Sequence, residues 1–411
     1  MIDAPTLVIT RAKALTLEGP PGPRFGAAMS TLRLKPDCDI FIRLGTIVAV
    51  EPSGTTTIPK SATTINAAGR IVMPGFIDCH THACHAGCRI DEWELKLRGV
   101  PYLDILRAGG GIMATVRATR DCSPDDLDSL TRHRLRAMLF DGSTTVEVKS
   151  GYGLTAAAEL HMLRSTARLA HDTSVPLPDI FPTALLGHAI EGEHDPFVHD
   201  TIQHTLPAVT AAFPGITIDA FCEVGSWTLA DTHRLFDAAS AAGHPLRLHA
   251  DQFNSLGGVT LAIQKHARSV DHLEASTPDD LARLAASATI GVGLPICGFH
   301  LDGRYAKLRT LIDAGGAVAI ASNFNPGSAP SWSIPLTMAL AVRHSGLSPA
   351  EAISAATVNA AAALGLADRG RIEPGLRADL LVLHEADERS LSYAFGGDPI
   401  AHVVSGGNVV R

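Results

Sequence analysis

The chain has 411 residues, of which 46% are hydrophobic and 18% are charged, and its formal net charge at pH 7 is −8. This composition is typical of an enzyme with a large core, and a negative charge without basic blocks argues against nucleic acid as a partner. No apolar run predicts a membrane span, and the amino terminus lacks a signal-peptide pattern, so a cytoplasmic protein is expected. The seven cysteines are scattered and odd in number, which predicts reduced thiols.

The two ends of the chain are predicted to be rich in short strands. Strand-like segments are expected at Thr6–Leu17, Asp39–Ile47, Ile47–Val50, Leu380–Leu383 and His402–Val410. Because both ends share this character, residues 1–70 and 368–411 are predicted to form one composite small β domain.

The middle of the chain, from residue 71 to residue 323, alternates apolar β-type runs with amphipathic helical segments. The eight runs lie at residues 71–79, 142–148, 179–187, 216–223, 245–249, 268–272, 288–295 and 317–322. Helices are predicted at Pro124–Phe140, Ala156–His171, Leu229–Ala242, Pro278–Ala286, Tyr305–Ala314, Ser333–Ser345 and Pro349–Leu364. Eight strand–helix units predict an α/β fold, a closed (β/α)8 barrel of the TIM type over residues 71–367.

Histidines follow several of the predicted barrel strands. The first run ends in His-Thr-His at residues 80–82, and side chains two residues apart on a strand point the same way. His188, His249 and His272 end the third, fifth and sixth runs. The carboxyl ends of barrel strands meet at one mouth, so these imidazoles are expected to converge there. Imidazoles with an oxygen ligand suit Zn²⁺ or Fe²⁺ with a bound water, and a histidine outside the metal shell can carry a proton.

Longer motifs connect these histidines to a known family. They are the segments at residues 74–82, 95–99, 102–106, 109–112, 147–154, 187–190, 249–251, 271–274 and 324–328. Together they resemble the imidazolonepropionase family of the amidohydrolase superfamily over nearly the whole chain. Lys-Ser-Gly-Tyr-Gly at residues 149–153 and Asn-Pro-Gly-Ser at residues 325–328 are the most specific pieces. The family hydrolyses 4-imidazolone-5-propanoate to N-formimidoyl-glutamate in histidine degradation, by an attack expected here at ring carbon C2.

The resemblance implies a role for each site residue. It assigns one divalent metal ion, Zn²⁺ or Fe²⁺, to His80, His82 and His249, and it places His272 beside the reacting carbon. A homodimer is also implied. The residues assigned to the substrate, with its carboxylate arm, are Arg89, Tyr102, Tyr152, His188, Gln252, Asn325, Gly327 and Ser328.

Two positions depart from the family pattern. The family carries a glutamate where this chain has Gln252, and an aspartate on the eighth strand where it has Asn323. An amide oxygen can still ligate a metal, so Asn323 stays in the expected ligand set, but an amide cannot take up a proton. Both residues are nevertheless candidate catalytic groups beside His272.

The departures leave three readings open. The first is a working imidazolonepropionase in which His272 and the metal suffice. The second is a sister enzyme that releases sulfide from the 2-thioxo analogue, 3-(5-oxo-2-thioxoimidazolidin-4-yl)propionate, to give hydantoin-propionate. The third is a protein that binds metal or ligand without catalysis.

Other chemistry-bearing residues have less specific surroundings. Cys79 is expected to pack outside the barrel, whereas Cys84 and Cys88 lie in a loop over the mouth and are candidates for contact with substrate or a soft metal. Lys149 is expected to be structural or to face the substrate rather than to bridge two metals. Ser322 lacks the surroundings of a serine nucleophile.

Overall fold

The computed structural model describes residues 5–100, 104 and 108–411. Sixteen strands lie in this part of the chain. In chain order they are β1 (Leu7–Leu15), β2 (Leu34–Arg43), β3 (Thr46–Pro52), β4 (Thr63–Asn66), β5 (Ile71–Pro74), β6 (Phe76–Asp78), β7 (Ser143–Lys149), β8 (Asp179–Gly187), β9 (Thr217–Cys222), β10 (Leu246–Ala250), β11 (Ser269–His272), β12 (Ile290–Gly293), β13 (Val318–Ile320), β14 (Leu380–Leu383), β15 (Ile400–Ser405) and β16 (Asn408–Val409).

The α-helices of the described residues lie mostly between the barrel strands. They are α1 (Ile90–Leu97), α2 (Ile112–Asp121), α3 (Pro124–Phe140), α4 (Ala156–Ala170), α5 (His194–Asp200), α6 (Leu206–Ala212), α7 (Leu229–Ala241), α8 (Gly258–Gln264), α9 (Pro278–Ala285), α10 (Pro295–His300), α11 (Leu308–Asp313), α12 (Ile334–His344), α13 (Pro349–Ala355), α14 (Val358–Ala363) and α15 (Ser390–Tyr393). Over this same part of the chain, we find no helix with the length and apolar character needed to cross a membrane.

Strands β6 to β13 form a parallel sheet in sequence order. Two hydrogen bonds beyond the strand ends join the last strand to the first. The Asn323 N–H donates to the His80 carbonyl (3.0 Å), and the His82 N–H donates to the Phe324 carbonyl (2.9 Å). The predicted eight-stranded barrel is therefore confirmed, and its closure places the ends of the first and eighth strands side by side.

The second sheet combines both chain ends in the order β16-β15-β14-β5-β1-β2-β3, with β4 also paired to β1. It is a mixed sheet, because β1 runs parallel to β4 and β5 but antiparallel to β2. The pairing of β14 with β5 connects the carboxyl-terminal strands to the amino-terminal ones. A small sheet from both ends is thus confirmed, while the division at residues 70 and 368 stays a prediction.

The run predicted as one strand over residues 71–79 is two strands in two different sheets. Ile71–Pro74 joins the small sheet, and only Phe76–Asp78 belongs to the barrel. Gly75 separates them, and a Cβ atom there would lie 2.2 Å from the Thr144 hydroxyl oxygen. The chain can change sheets at this point because glycine lets its backbone approach β7 so closely.

Helix caps account for several predicted boundaries. Helix α3 begins after Ser123, whose side chain accepts a hydrogen bond from the Asp126 N–H, and α9 begins with a capping box between Thr277 and Asp280. The segment predicted as one helix over Pro349–Leu364 is two helices, α13 and α14. The break falls at Thr357, where φ is −130° and ψ is −95°, and the Thr357 hydroxyl donates to the Ile353 carbonyl.

Candidate active site at the mouth of the barrel

A cavity of about 660 Å³ opens at the carboxyl-terminal ends of the barrel strands. The sequence-predicted site residues that line it are His82, Arg89, Tyr152, His188, His249, Gln252, His272, Asn323, Asn325, Gly327 and Ser328. The two other predicted residues are His80, which is fully buried, and Tyr102, which lies outside the described residues. The fold therefore brings the predicted groups together as the strand-end argument expects.

Three imidazoles form the centre of the site. Ring nitrogens of His80, His249 and His272 lie within 4.8 Å of one another. The Nε2 atoms of His80 and His249 are buried and have no hydrogen-bond partner among the described residues. Buried polar atoms are normally satisfied by a protein group, a water or an ion, so these two nitrogens are available as ligands. His80 and His249 therefore fit a divalent metal ion, because neutral imidazole nitrogen is a common ligand for Zn²⁺ and Fe²⁺.

His82 stands beside this group. Its ring centroid is 5.4 Å from that of His80 and 5.6 Å from that of His249, and it stacks on His188 at 5.1 Å with an interplanar angle of 17°. Its Nδ1 is buried and has no hydrogen-bond partner among the described residues. The ring centroid of His272 is 6.0 Å from that of His80 and 5.6 Å from that of His249, so His82 is no farther from this pair than His272 is. Ligation by His82 stays a prediction.

Asn323 supplies an oxygen atom at the same place. The residue is buried after β13, and its Oδ1 has no hydrogen-bond partner within the described residues. Its φ angle is 55°, a left-handed conformation that is uncommon outside glycine and better tolerated by asparagine. An unpartnered amide oxygen beside the histidines fits the predicted role of Asn323 as a neutral oxygen ligand.

Two carboxylates orient His80 and His249 through contacts with their Nδ1 atoms. Asp271 Oδ2 lies 2.5 Å from His80 Nδ1, and Asp219 Oδ1 lies 3.1 Å from His249 Nδ1. Each contact places the ring proton on Nδ1 and leaves Nε2 to act as a ligand. Burial lowers the pKa of both imidazoles, and that of His80 falls well below its ordinary value. The rings are therefore neutral, as metal ligation requires.

The carboxylates in turn belong to a buried ion-pair network. Lys149 Nζ lies 2.7 Å from Asp219 and 3.0 Å from Glu147, and Arg247 lies 2.7 Å from both Glu147 and Asp271. Despite its burial, the neighbouring His249 and Lys149 hold the pKa of Asp219 well below its usual range. Of the two expectations for Lys149, the structural one holds, because its ammonium group is enclosed in ion pairs and does not line the cavity.

Arg89 lies at another part of the cavity wall. Its Nε and Nη2 donate to the Glu92 carboxylate at 2.8 and 2.5 Å, and the same carboxylate accepts from the Gly111 N–H at 2.9 Å. Although burial opposes it, hydrogen bonds from Arg89 and Lys96 lower the pKa of Glu92 to about 2. Gly327 packs against the guanidinium, since a Cβ atom there would lie 2.1 Å from Arg89 Nη1. Glu92 and Gly327 together fix the direction in which Arg89 points.

The loop after the eighth strand is held by Asn325. Its Oδ1 accepts from the Gly327 and Ser328 N–H groups, each at 2.8 Å. Its Nδ2 donates to the Asn323 carbonyl at 2.7 Å and to the Ser328 hydroxyl at 2.8 Å. The amide expected to cradle a propionate is thus engaged within its own loop, and direct contact of Asn325 with substrate stays a prediction.

Tyr152 and His188 form an aromatic wall. Their ring centroids are 5.1 Å apart, and each ring lies within 6 Å of His82. His188 Nδ1 lies 2.9 Å from the Gly151 carbonyl, so this nitrogen carries the ring proton and Nε2 is an acceptor. Burial and the neighbouring His249 lower the pKa of His188 to about 3, and burial raises the pKa of Tyr152. Both groups are therefore neutral near pH 7.

His272 has the surroundings of a proton donor. Its Nδ1 lies 3.3 Å from Glu274 Oε2, and its φ angle of 90° is strained for this residue type. Although burial opposes protonation, Glu274 and the nearby Cys297 raise the pKa of His272 to about 10. Gln252 Nε2 donates to Cys297 Sγ at 3.3 Å, so its amide faces the thiol.

Sequence reasoning missed four residues in or around the site. Asp219, Glu92, Glu223 and Cys297 were not assigned to the site. Asp219 is a charged residue within a largely apolar strand, and a buried charge of this kind could have indicated a site residue. Glu223 directly follows the fourth barrel strand and accepts hydrogen bonds from the Phe253 and Asn254 N–H groups. Its position at a strand end was a second usable signal.

The cysteines near the first strand separate into different environments. Cys79 is buried in an apolar cluster with Ile77 and Ala360, as predicted. Cys84 is buried against the Met162 carbonyl, and Cys88 is exposed. Neither Cys84 nor Cys88 is among the described residues that line the cavity, so the cavity gives no support to these candidates for contact with substrate or a soft metal.

Comparison with known proteins gives consistent matches over nearly the whole chain. The family model for the amidohydrolase family matches residues 71–410. Imidazolonepropionase of Herpetosiphon aurantiacus is 42% identical over 406 residues, which cover 96% of this chain and 94% of the relative. Imidazolonepropionase of Deinococcus radiodurans is 43% identical over 387 residues, with coverage of 94% and 95%.

Solved structures with lower identity share the fold. The 5-methylcytosine deaminase of Klebsiella pneumoniae superposes with a TM-score of 0.75 at 17% identity and covers 98% of each chain. A variant of atrazine chlorohydrolase from Arthrobacter aurescens, solved with zinc and atraton, gives a TM-score of 0.72 at 19% identity, with coverage of 98% and 94%.

Proposed function

The chain belongs to the amidohydrolase family of metal-dependent hydrolases, and from this premise we propose that it opens the ring of 4-imidazolone-5-propanoate to give N-formimidoyl-glutamate. The names of the relatives support this substrate. The observation that carries the proposal is one cavity that holds both the histidine cluster and the Arg89 guanidinium. A ring with a carboxylate arm has a partner for each of its ends in such a cavity.

The resident cofactor in this proposal is a single Zn²⁺ or Fe²⁺ ion. His80 and His249 are its principal ligands, because their buried Nε2 atoms lack other partners in the described structure, and His82 and Asn323 complete the set. When bound, the ion supplies a Lewis acid and lowers the pKa of a coordinated water to about 7.

Binding begins at the carboxylate arm. Arg89, held by Glu92, forms a charge-assisted contact with the propionate. His188 Nε2 accepts a hydrogen bond from a ring N–H, since its Nδ1 proton is engaged with the Gly151 carbonyl. The Tyr152 side chain packs against the ring face. These contacts orient the ring relative to His272.

The atom balance identifies the bond that breaks. In N-formimidoyl-glutamate the former ring carbonyl is a carboxylate and the formimidoyl group stays on nitrogen. Water must therefore add to the ring carbonyl carbon, C4, and the C4–N3 bond must break. This corrects the attack at C2 that was expected from the sequence. The departing N3 takes a proton from cationic His272, with Glu274 at 3.3 Å to stabilise the charge. The added water loses both of its protons as the new carboxyl group forms and ionises, one of them restoring the His272 cation and the other passing to solvent.

A second candidate is sulfide release from the 2-thioxo analogue. The names of the relatives do not favour it, but both departures from the family pattern are amides, Asn323 with an unpartnered Oδ1 and Gln252 bonded to Cys297. In this reaction water adds to C2, the C2–S bond breaks and sulfur leaves as hydrosulfide. No ring nitrogen has to be protonated, so fewer proton-carrying groups are needed than for ring opening.

Product analysis with both substrates tests the proposal. Metal-loaded protein is incubated with each compound, and the products are identified by mass spectrometry while sulfide is assayed in parallel. We expect ring-opened product from 4-imidazolone-5-propanoate. Sulfide from the thioxo compound without ring opening of the first would overturn the main proposal in favour of the second candidate. Turnover of neither compound would refute both.

We also propose a cytoplasmic homodimer. All seven cysteines are free thiols, which fits a reducing compartment. The dimer rests on the resemblance to the imidazolonepropionase family. Light scattering on the purified protein measures the molar mass directly, and a mass of one chain would contradict the dimer.

A further inference from the structure

A second cluster of ligand-type atoms adjoins the histidine centre. A ring nitrogen of His272, a carboxylate oxygen of Glu274 and the Cys297 sulfur lie within 4.8 Å of one another. All three side chains are almost fully buried, with exposed fractions of 4% for His272 and 5% for Glu274, and 2% for Cys297 as a residue. The cluster draws on two parts of the fold, the end of β11 and the start of α10.

One atom of the cluster has no hydrogen-bond partner. Glu274 Oε2 is buried and unpartnered among the described residues, although it lies 3.3 Å from His272 Nδ1. His272 Nδ1 also lies 3.4 Å from Glu274 Oε1, so a metal ion bound by both groups would take the place of the proton between them. The separation of 3.3 Å also matches two ligands on one tetrahedral ion, because bonds of about 2.0–2.1 Å place N and O ligands roughly 3.4 Å apart.

Gln252 is complementary to a thiolate in this cluster. Its Nε2 donates to Cys297 Sγ at 3.3 Å. The glutamate that the family carries at this position would bring a second negative charge toward the sulfur and oppose loss of the thiol proton. A neutral amide donor stabilises a thiolate instead. The departure at residue 252 and the cysteine at residue 297 therefore form a consistent pair.

We propose that His272, Glu274 and Cys297 form a second metal site, which binds a borderline-soft divalent cation such as Zn²⁺ or Co²⁺ next to the histidine centre. Nitrogen, oxygen and sulfur ligands are the set that proteins use for Zn²⁺. The ligands named for the first ion include no cysteine, so the two sites differ in ligand chemistry.

Occupation of this second site has a consequence for turnover that rests on the proposed function. A cation bound to His272 prevents that ring from carrying a proton. Excess metal is therefore expected to inhibit the enzyme, whereas the first equivalent activates it. The binding itself does not depend on which substrate is hydrolysed, so a failure of the proposed function leaves the metal measurement intact.

Titration of metal-depleted protein with Co²⁺ tests the proposal. Thiolate-to-cobalt charge transfer absorbs in the near ultraviolet, so it reports a cysteine ligand and is silent for a site of histidines and Asn323. We expect the band to grow only with the second equivalent, to be lost in Cys297→Ser and to persist in the matched control Cys88→Ser. Glu274→Gln retains the thiol and should weaken the second equivalent by about tenfold or more.

The wild-type titration can overturn the proposal without any variant. Absence of a thiolate band at saturating Co²⁺ would exclude a cysteine ligand. A band of unchanged intensity in Cys297→Ser would assign it to another cysteine and would equally refute the site.

Discussion

The contact between Gly327 and Arg89 leads to a substitution whose effect should fall on substrate binding alone. In Gly327→Ala the new Cβ would lie 2.1 Å from Arg89 Nη1 and 2.7 Å from Cζ. Ordinary contact requires more than 3 Å, so the guanidinium must move by about 1 Å or more. The atoms in the way are the far end of a flexible side chain, and the free energy of unfolding should change by less than about 0.5 kcal/mol.

The expected loss of substrate affinity follows from the contact proposed between Arg89 and the carboxylate arm of the substrate. A hydrogen bond to a charged group contributes about 1.5–3 kcal/mol, which corresponds to a rise in KM of roughly 10- to 150-fold. The propionate lies away from the reacting carbon, so kcat should change little. Steady-state kinetics with 4-imidazolone-5-propanoate and with its neutral propionamide analogue measure both parameters.

The matched control is Gly397→Ala, because a Cβ atom there would meet only the Ala394 carbonyl oxygen, at 3.5 Å. This variant should keep wild-type kinetics. A KM for Gly327→Ala within twofold of wild type would refute the role of Arg89. An equal rise in KM for the neutral analogue would show that the substitution disturbs the cavity as a whole and not a contact with the carboxylate.

Four further predictions concern the metal, the proton donor and stability toward acid. His249→Ala should lose stoichiometric Zn²⁺ in metal analysis after dialysis, whereas the exposed His204→Ala should retain it. His272→Gln should lower kcat by about 10²- to 10³-fold while the first metal equivalent stays bound. Glu274→Gln should move the alkaline limb of the pH–rate profile to lower pH, because the Glu274 carboxylate raises the pKa of His272. Burial and a nearby arginine lower the pKa of His85 to about 3, so below the ordinary value of 6.5 the unfolded chain takes up a proton that the folded one does not. The free energy of unfolding should therefore fall from pH 7 to pH 5, and His85→Asn should reduce that fall by roughly 2 kcal/mol in denaturant titrations. The same decrease in the free energy of unfolding from pH 7 to pH 5 in both proteins would contradict the assignment of this pKa.

Much of the barrel could be predicted because its strands are apolar runs between amphipathic helices. The run at residues 179–187 is a strand with those same limits, Asp179–Gly187. Periodicity does not identify the partner of a strand, and for that reason the change of sheet at Gly75 was missed. The break at Thr357 was missed because its side chain bonds to the preceding turn, which the apolar pattern does not reveal.

The site residues that could be predicted are those whose position at the end of a strand is enough to place them in the site. His80, His249 and His272 converge because parallel barrel strands share one end. Contacts between distant segments were not predictable in the same way. The contact of Asp219 with His249 depends on strand pairing, and the contact of Gln252 with Cys297 depends on how the loop after β10 meets helix α10.

Turnover as a function of bound metal tests the central claim most directly. Metal-depleted protein is titrated with Zn²⁺ or Fe²⁺ in the presence of 4-imidazolone-5-propanoate, and N-formimidoyl-glutamate is followed by NMR. We predict no product without metal and a rate that rises in proportion to the first equivalent. Ring opening by the metal-free protein, or none by the protein that carries one equivalent of metal, would contradict the account.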